Sequence, residues 1–269
     1  MFTYLDPGVR QRLLAAGSLV GIDAEGQLVA AGGTPVISIL GPIPLPVERH
    51  GRHHEVDWFA SVRHTELDKA QELADRLRER DALRSFALLA SSMAVNSVLV
   101  FGEREAWENP LVRVHSSCLT GDVFGSLRCE CGPQFLAALE RIGDEDQGGM
   151  IVYMSGHEGR GIGLWAKAAT YLLQDAGENT YEANRSLGLP VDSRDFSDAA
   201  VLIKHFLGRK PFRLLTNNPK KVDDLGALGL GDITPVKHVI GVNARNRRYL
   251  AAKRDWGHLL DPGDLDAGE

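Results

Sequence analysis

Cysteine is scarce in this chain, with three residues among 269. An odd count excludes a fully paired disulfide framework, and the thiols of a chain without an export signal are expected to stay reduced. The opening stretch "MFTYLDPGVRQRLLAAGSLVG" has no basic region followed by a continuous apolar one, so it does not read as a signal peptide. No run of eighteen apolar residues occurs, which excludes an ordinary membrane-spanning helix. These absences predict a cytoplasmic, unprocessed chain with no membrane partner. A basic surplus is missing too: 30 Lys and Arg face 36 Asp and Glu, a formal charge of −6. That balance argues against a nucleic acid partner and leaves room for local cations that hold a small polyanion. No internal repeat or low-complexity segment appears. With 43% apolar and 25% charged residues, the composition is that of a globular protein able to bury a large core without cross-links.

All three cysteines lie within "CLTGDVFGSLRCECGPQ", as Cys118, Cys129 and Cys131 in a C-x10-C-x-C pattern. Gly121, Gly125 and Gly132 allow tight turns that bring the sulfurs together. Structural zinc sites use four protein ligands, whereas catalytic ones use three and leave the fourth position to a water whose pKa falls to about 7. Three thiolates therefore favour a catalytic zinc site. Two other readings of the spacing stay open: small buried hydrophobic residues, or a structural site closed by a histidine such as His115.

The remaining chain alternates strands and helices. Residues 17–41 are Gly-rich with short β-prone runs such as "TPVISIL" and predict a hairpin or small sheet. Residues 65–90 predict a helix, with Thr65 and Asp68 as a capping box, apolar residues at helical spacing from Leu67 to Leu77, and a solvated face carrying Arg76, Arg78, Arg80 and Arg84. "SVLVF", "LVRVHSSC", "GMIVYM" and "FRLLTNN" predict strands, and helices are expected at 134–143, 163–176, 196–207 and 220–228.

Three further stretches carry chemistry-bearing residues. In "HEGRGIGLWAKAATYLLQDAG" a Gly-rich turn after a strand opens a helix, leaving backbone N–H groups free to hold an anion beside Arg160. The same glycines are also what a tight turn with positive φ requires. "VDSRDF" groups Asp192, Arg194 and Asp195 in a polar loop, suited to acid–base or phosphate work or to a surface ion cluster. "LLTNNPKKV" ends a strand with Thr216, two amides and paired lysines, which are phosphate-binding point charges or merely solvated.

Together these stretches resemble the GTP cyclohydrolase II family. The family's runs R-V-H-S-E-C-L-T-G-D, S-L-R-C-D-C-G-x-Q, E-G-R-x-I-G-L, a Tyr before L-Q-D, D-T-V-E-A-N, D-x-R-D-F and L-L-T-N-N-P-K-K-V are matched in order by "RVHSSCLTGD", "SLRCECGPQ", "EGRGIGL", "YLLQD", "NTYEAN", "DSRDF" and "LLTNNPKKV". The resemblance covers residues 98–260. It implies an α/β (α+β) fold, a mixed β-sheet flanked by helices, with an atypical N-terminal extension. Residues 1–97 are expected to form that extension, a β-rich segment plus an inserted helix, and residues 98–269 the catalytic domain. The strand "GPIPLPVERHG" is a candidate for the family's opening strand.

The resemblance also implies roles. Cys118, Cys129 and Cys131 would hold one zinc per chain, and Mg²⁺ would accompany the triphosphate of GTP or a related nucleotide. The family opens the guanine ring, releases formate and pyrophosphate, and passes through a nucleotidyl-arginine. Arg194 matches that nucleophile, Asp192 the proton acceptor beside it and Tyr171 a tyrosine of the ring chemistry. Nucleotide contacts carry over to Arg113, Val114, His115, Ser116, Ser117, Gln134, Glu158, Gly159, Arg160, Thr180, Thr216 and Lys221. The partner state implied is compatible with a homodimer. Two departures stand out: Ser117 replaces the family's Glu before the first cysteine, and "SGH" at 155–157 replaces H-R-Q. A carboxylate accepts two hydrogen bonds from a guanine edge, whereas serine offers one hydroxyl. The departures therefore leave open another nucleotide, a reaction that stops at a formylated intermediate, or a non-catalytic nucleotide-binding zinc protein.

Overall fold

Strands that are apolar on both faces must be covered on both faces, and this determines the architecture. The computed structural model describes residues 5–30, 32–69 and 94–266. Eight strands, β1 (Leu19–Ile22), β2 (Ile37–Arg49), β3 (Arg52–Arg63), β4 (Asn96–Phe101), β5 (Leu111–Ser116), β6 (Gly149–Met154), β7 (Phe212–Leu215) and β8 (Ile233–Val236), form one sheet in the order β1-β2-β3-β4-β6-β5-β7-β8. Pairing is antiparallel from β1 to β4 and between β4 and β6. It is parallel between β6, β5, β7 and β8. The fold is thus the mixed sheet with helices that the sequence predicts.

Alternation along the central strands divides the core in two. Val112, Val114, Met150, Val152 and Leu214 pack on one face against the helix Ser197–Leu207 through Ala199, Leu202 and Ile203. Leu111, Ile151 and Leu215 point the other way, against Ala138, Leu139 and Ile142 of the helix Cys131–Gly143. Each such buried aliphatic side chain contributes about 1.5–3 kcal/mol relative to exposure. Sandwiched in this way, β5, β6 and β7 run parallel and release their carboxyl ends at one rim of the sheet.

The expected strands and the four expected helices are present, the latter as Cys131–Gly143, Leu164–Asp175, Ser197–Leu207 and Pro219–Ala227. "GPIPLPVERHG" forms the second part of β2 and the turn after it, with prolines 42, 44 and 46 recurring every second residue. All three lie beyond Leu40, the last residue paired with β1, so this part of β2 is a sheet edge where proline is tolerated, and Pro42 falls where the β2–β3 register shifts between Leu40 and Ile43. The segment 64–69 is helical from His64, one residue before the expected cap Thr65. The rest of the helix predicted over 65–90, with its four arginines, lies outside the described residues. No helix among the described residues is long and apolar enough to cross a membrane.

Candidate active site

Three loops leave the rim side by side. β5 ends at Ser116 and enters the cysteine loop; β6 ends at Met154 and enters Ser155–Gly161; β7 ends at Leu215 and enters Thr216-Asn217-Asn218. Ligand sites in open α/β sheets lie outside the carboxyl ends of strands, and here one pocket collects residues from all three loops.

The cysteine loop makes a single π-helical turn at Leu119–Val123 that folds back on itself. A Cβ at Gly121 would lie 2.9 Å from Cys129 Sγ, 3.0 Å from Cys131 Cβ and 3.1 Å from Cys118 Sγ. A Cβ at Gly132 would lie 2.2 Å from the Gly121 carbonyl oxygen. Both positions must therefore be glycine for the loop to close. Closure brings the three sulfurs within 4.8 Å of one another, with Cys118 and Cys129 at 3.7 Å. Sulfurs sharing a tetrahedral zinc at ~2.3 Å stand about 3.8 Å apart, so the set fits that ion.

Electrostatics points the same way. Hydrogen bonds from the Cys129 and Cys131 thiols, with the Lys167 ammonium, hold Cys118 far below the usual thiol range. The Cys118 sulfur in turn pushes Cys129 up to about 12 and Cys131 well above normal. Lys167 thus favours one thiolate, whose charge opposes ionisation of the other two, a conflict that a bound cation would relieve. Among the described residues the group able to hold a metal is these three cysteines alone. His115 is turned away, with Nε2 3.2 Å from both oxygens of Asp122. Asp122 also accepts from the Cys118 N–H and the Tyr153 hydroxyl, each at 3.0 Å, and so ties the loop to the sheet.

Lys167, 3.1 Å from Cys118 Sγ and 2.6 Å from Glu158 Oε1, links the sulfurs to the second loop. Burial alone would lower its pKa, but Glu158 and the Cys118 thiolate outweigh that and raise it. The other oxygen of Glu158 accepts from the Leu119 N–H at 2.7 Å. Tyr171, one helical turn beyond Lys167, shares a hydrogen bond of 3.0 Å with the Thr120 hydroxyl. Arg160 adopts φ 65°, strained for a residue with a Cβ, and lays its guanidinium over the Tyr181 ring at 4.0 Å. Its buried Nη2 has no hydrogen-bond partner among the described residues.

Arg194 approaches from a fourth segment. Asp192 clamps its Nε at 2.9 Å and also holds its Nη2, while Nη1 reaches Ser116 Oγ at 3.4 Å. Burial would raise the Asp192 carboxyl, but the Arg194 guanidinium outweighs it and holds the pKa below normal. Arg63, at the end of β3, braces this loop through Asp195 and Asp198, each at 2.9 Å. Arg113 donates to Gln134 Oε1 and the Leu215 carbonyl, and burial lowers its pKa to about 10. Lys221 donates to the Val114 carbonyl at 2.8 Å. Burial, then Arg113, Arg194 and Lys253, push its pKa well below the ordinary lysine range.

The pocket therefore gathers Arg113, His115, Ser116, Ser117, Gln134, Glu158, Gly159, Arg160, Tyr171, Thr180, Arg194, Thr216, Lys221 and the three cysteines. Val114 and Asp192 do not line it. The Val114 side chain is wholly buried in the core, and Asp192 stands behind Arg194.

A family model described as GTP cyclohydrolase II matches residues 56–235. The chain belongs to the GTP cyclohydrolase II family. Among curated proteins it is similar to a riboflavin biosynthesis protein RibBA from Nocardia farcinica, 53% identical over 173 residues, covering 64% of this chain and 41% of that protein. RibBA proteins of Mycobacteroides abscessus and Rhodococcus jostii are 55% and 53% identical over 58% and 59% of this chain and 37% and 38% of theirs. The chain thus aligns with about two fifths of the length of these relatives.

The pocket extends past the family match, into residues that sequence reasoning missed. Tyr249 and Lys253, on the helix Arg247–Asp255, line it, and Lys253 forms a buried ion pair with Glu130, which sits between two of the cysteines. No local signal marks this pair. Lys167 did leave a signal, four residues before Tyr171 and so on the same helical face. In this cyclohydrolase II family member Gly121 is the closure point of the thiol cluster. Gly121→Ala should leave secondary structure intact by circular dichroism but abolish metal loading measured by mass spectrometry under native conditions. A variant that loads metal as well as wild type would show that the loop has slack the geometry denies.

Proposed function

We propose that this chain is a zinc-dependent GTP cyclohydrolase II, which opens the imidazole ring of the guanine in GTP and releases formate and pyrophosphate. The observation that carries the reading is the meeting, in one cation-lined pocket, of a three-thiol cluster able to hold a metal with Arg194, which Asp192 clamps from behind. The names of the RibBA relatives support a role for that reaction in riboflavin biosynthesis. Residues 98–269 carry the catalytic groups, and residues 1–97 add β1–β3 and the Arg63 brace.

Cys118, Cys129 and Cys131 would hold the zinc, and the chemistry it would supply there is Lewis-acid activation of water for ring hydrolysis. The chain's own residues bind, orient and move protons around it. Lys167 and Glu158 fix the Cys118 sulfur and the N-terminus of its loop. The Tyr171 hydroxyl, held by Thr120, is placed to give or orient a proton. At the triphosphate, a guanidinium is a poor nucleophile while protonated. Asp192, in contact with two of the Arg194 nitrogens, accepts the proton as a nitrogen–phosphorus bond forms and the bond to pyrophosphate breaks. Arg113, Arg160 and Lys221 neutralise phosphate, with Mg²⁺ as the triphosphate's counter-ion.

Ser117 favours a second reading in which the base differs from guanine. Its hydroxyl donates to the Ser155 carbonyl at 3.0 Å and does not replace the two acceptors of a carboxylate. Incubation with a panel of nucleoside triphosphates separates the readings. GTP should yield formate and pyrophosphate in equal amounts, and Arg194→Lys should cut pyrophosphate release by orders of magnitude. Products from another nucleotide alone would select the second reading, and no formate from any nucleotide would reject both.

Lys221 makes binding pH-dependent. Its pKa is depressed in the free pocket, and a bound triphosphate raises it, so binding takes up a proton at pH values between the two. Affinity for GTP should therefore weaken as pH rises through that window, and calorimetry in buffers of different ionisation enthalpy should detect the uptake. Lys221→Met should abolish the uptake; an unchanged proton count in that variant would assign it to another group.

A further inference from the structure

His157 is a buried residue of the pocket wall, edge-on to the Phe196 ring at 5.0 Å, and the chemistry above does not use it. Its two nitrogens are both engaged: Nε2 is 2.9 Å from the Asp195 backbone carbonyl, and Nδ1 is 3.1 Å from Ser116 Oγ. A carbonyl oxygen can only accept, so Nε2 must carry hydrogen. Burial, with Arg194 and Lys221 nearby and Asp192 only partly offsetting them, lowers the ring's pKa to about 4. The imidazole is therefore neutral, and Nδ1 is left as an acceptor. Ser116 must then point its hydroxyl hydrogen at His157, which leaves its oxygen lone pairs facing Arg194 Nη1 at 3.4 Å.

We propose that His157 is a positioning residue: it polarises a relay from the Asp195 carbonyl through Ser116 that holds the Nη1 edge of Arg194, the edge Asp192 does not grip. The inference rests on the proposed role of Arg194 in nucleotide cleavage. Without His157, the Ser116 hydroxyl is free to rotate and present its hydrogen to the guanidinium, a donor facing a donor. The relay also explains how this chain tolerates histidine where the family resemblance shows glutamine. A carboxamide offers the same pair of functions at a similar span, one donor for the carbonyl and one acceptor for the hydroxyl.

Two measurements test the relay. In wild-type protein labelled with ¹⁵N-histidine, the His157 ring should show a protonated Nε2 and an unprotonated Nδ1 at neutral pH, and Ser116→Ala should shift the Nδ1 resonance. In kinetics, His157→Phe keeps the ring's bulk but neither function, and should lower kcat for pyrophosphate release by about 10- to 100-fold, the cost of a hydrogen bond to a charged group. KM for GTP and zinc content should stay near wild type, and His157→Gln should restore most of the rate. A ring protonated at Nδ1, a His157→Phe enzyme as fast as wild type, or a His157→Gln enzyme as slow as His157→Phe would overturn the proposal. Should wild type fail to turn over GTP, the proposed function falls, and the nitrogen spectrum still decides whether the relay exists.

Discussion

Three thiols packed within 4.8 Å in a buried loop repel one another's ionisation, and the surrounding structure is arranged around that conflict. Gly121 and Gly132 let backbone pass where a Cβ cannot, so the sulfurs converge. Lys167 favours the first thiolate, Asp122 anchors the loop's start through the Cys118 N–H, and Glu130 fixes the far side through Lys253. Removing one partner of such a buried ion pair costs about 3–5 kcal/mol. The Lys253–Glu130 pair therefore makes the segment beyond the family match a structural part of the site.

The second organising feature is the set of parallel strand ends. Because β5, β6 and β7 are buried on both faces, their loops cannot wander far, and chemistry from sequence positions a hundred residues apart meets at one rim. The pocket's charge runs against that of the whole chain. A protein of net charge −6 concentrates Arg113, Arg160, Arg194, Lys221 and Lys253 around one opening. Lys221 gives the clearest sign that the surplus is meant for a ligand. It is buried against a carbonyl, with no carboxylate in salt-bridge contact among the described residues, so an entering anion would restore the charge that burial disfavours.

Much of this was legible in the sequence because it is local. The cysteine spacing, the Gly-rich turn after β6 and the run "LLTNNPKKV" each announce a loop at a strand end, and the central strands read as near-continuous apolar runs. What escaped was contact between distant segments. Lys253 meets Glu130 across 123 positions, and Arg63 braces Asp195 across 132. Nothing in either neighbourhood encodes the partner. A different kind of miss was avoidable: Asn179 and Glu182 form a capping box that starts the helix Thr180–Ser186, a pattern visible in "NTYE". Motif matching also blurred side chain with backbone. Val114 meets the site through its carbonyl alone, which holds Lys221, while its side chain belongs to the core.

The central claim is that three cysteines, and no fourth protein group, form a metal centre open to the nucleotide pocket. X-ray absorption at the zinc edge of purified protein tests it most directly. The account predicts one zinc per chain with three sulfur neighbours at about 2.3 Å and one light-atom neighbour near 2.0 Å that changes when GTP is added. Four sulfur or histidine ligands, or protein that binds no zinc, would contradict it.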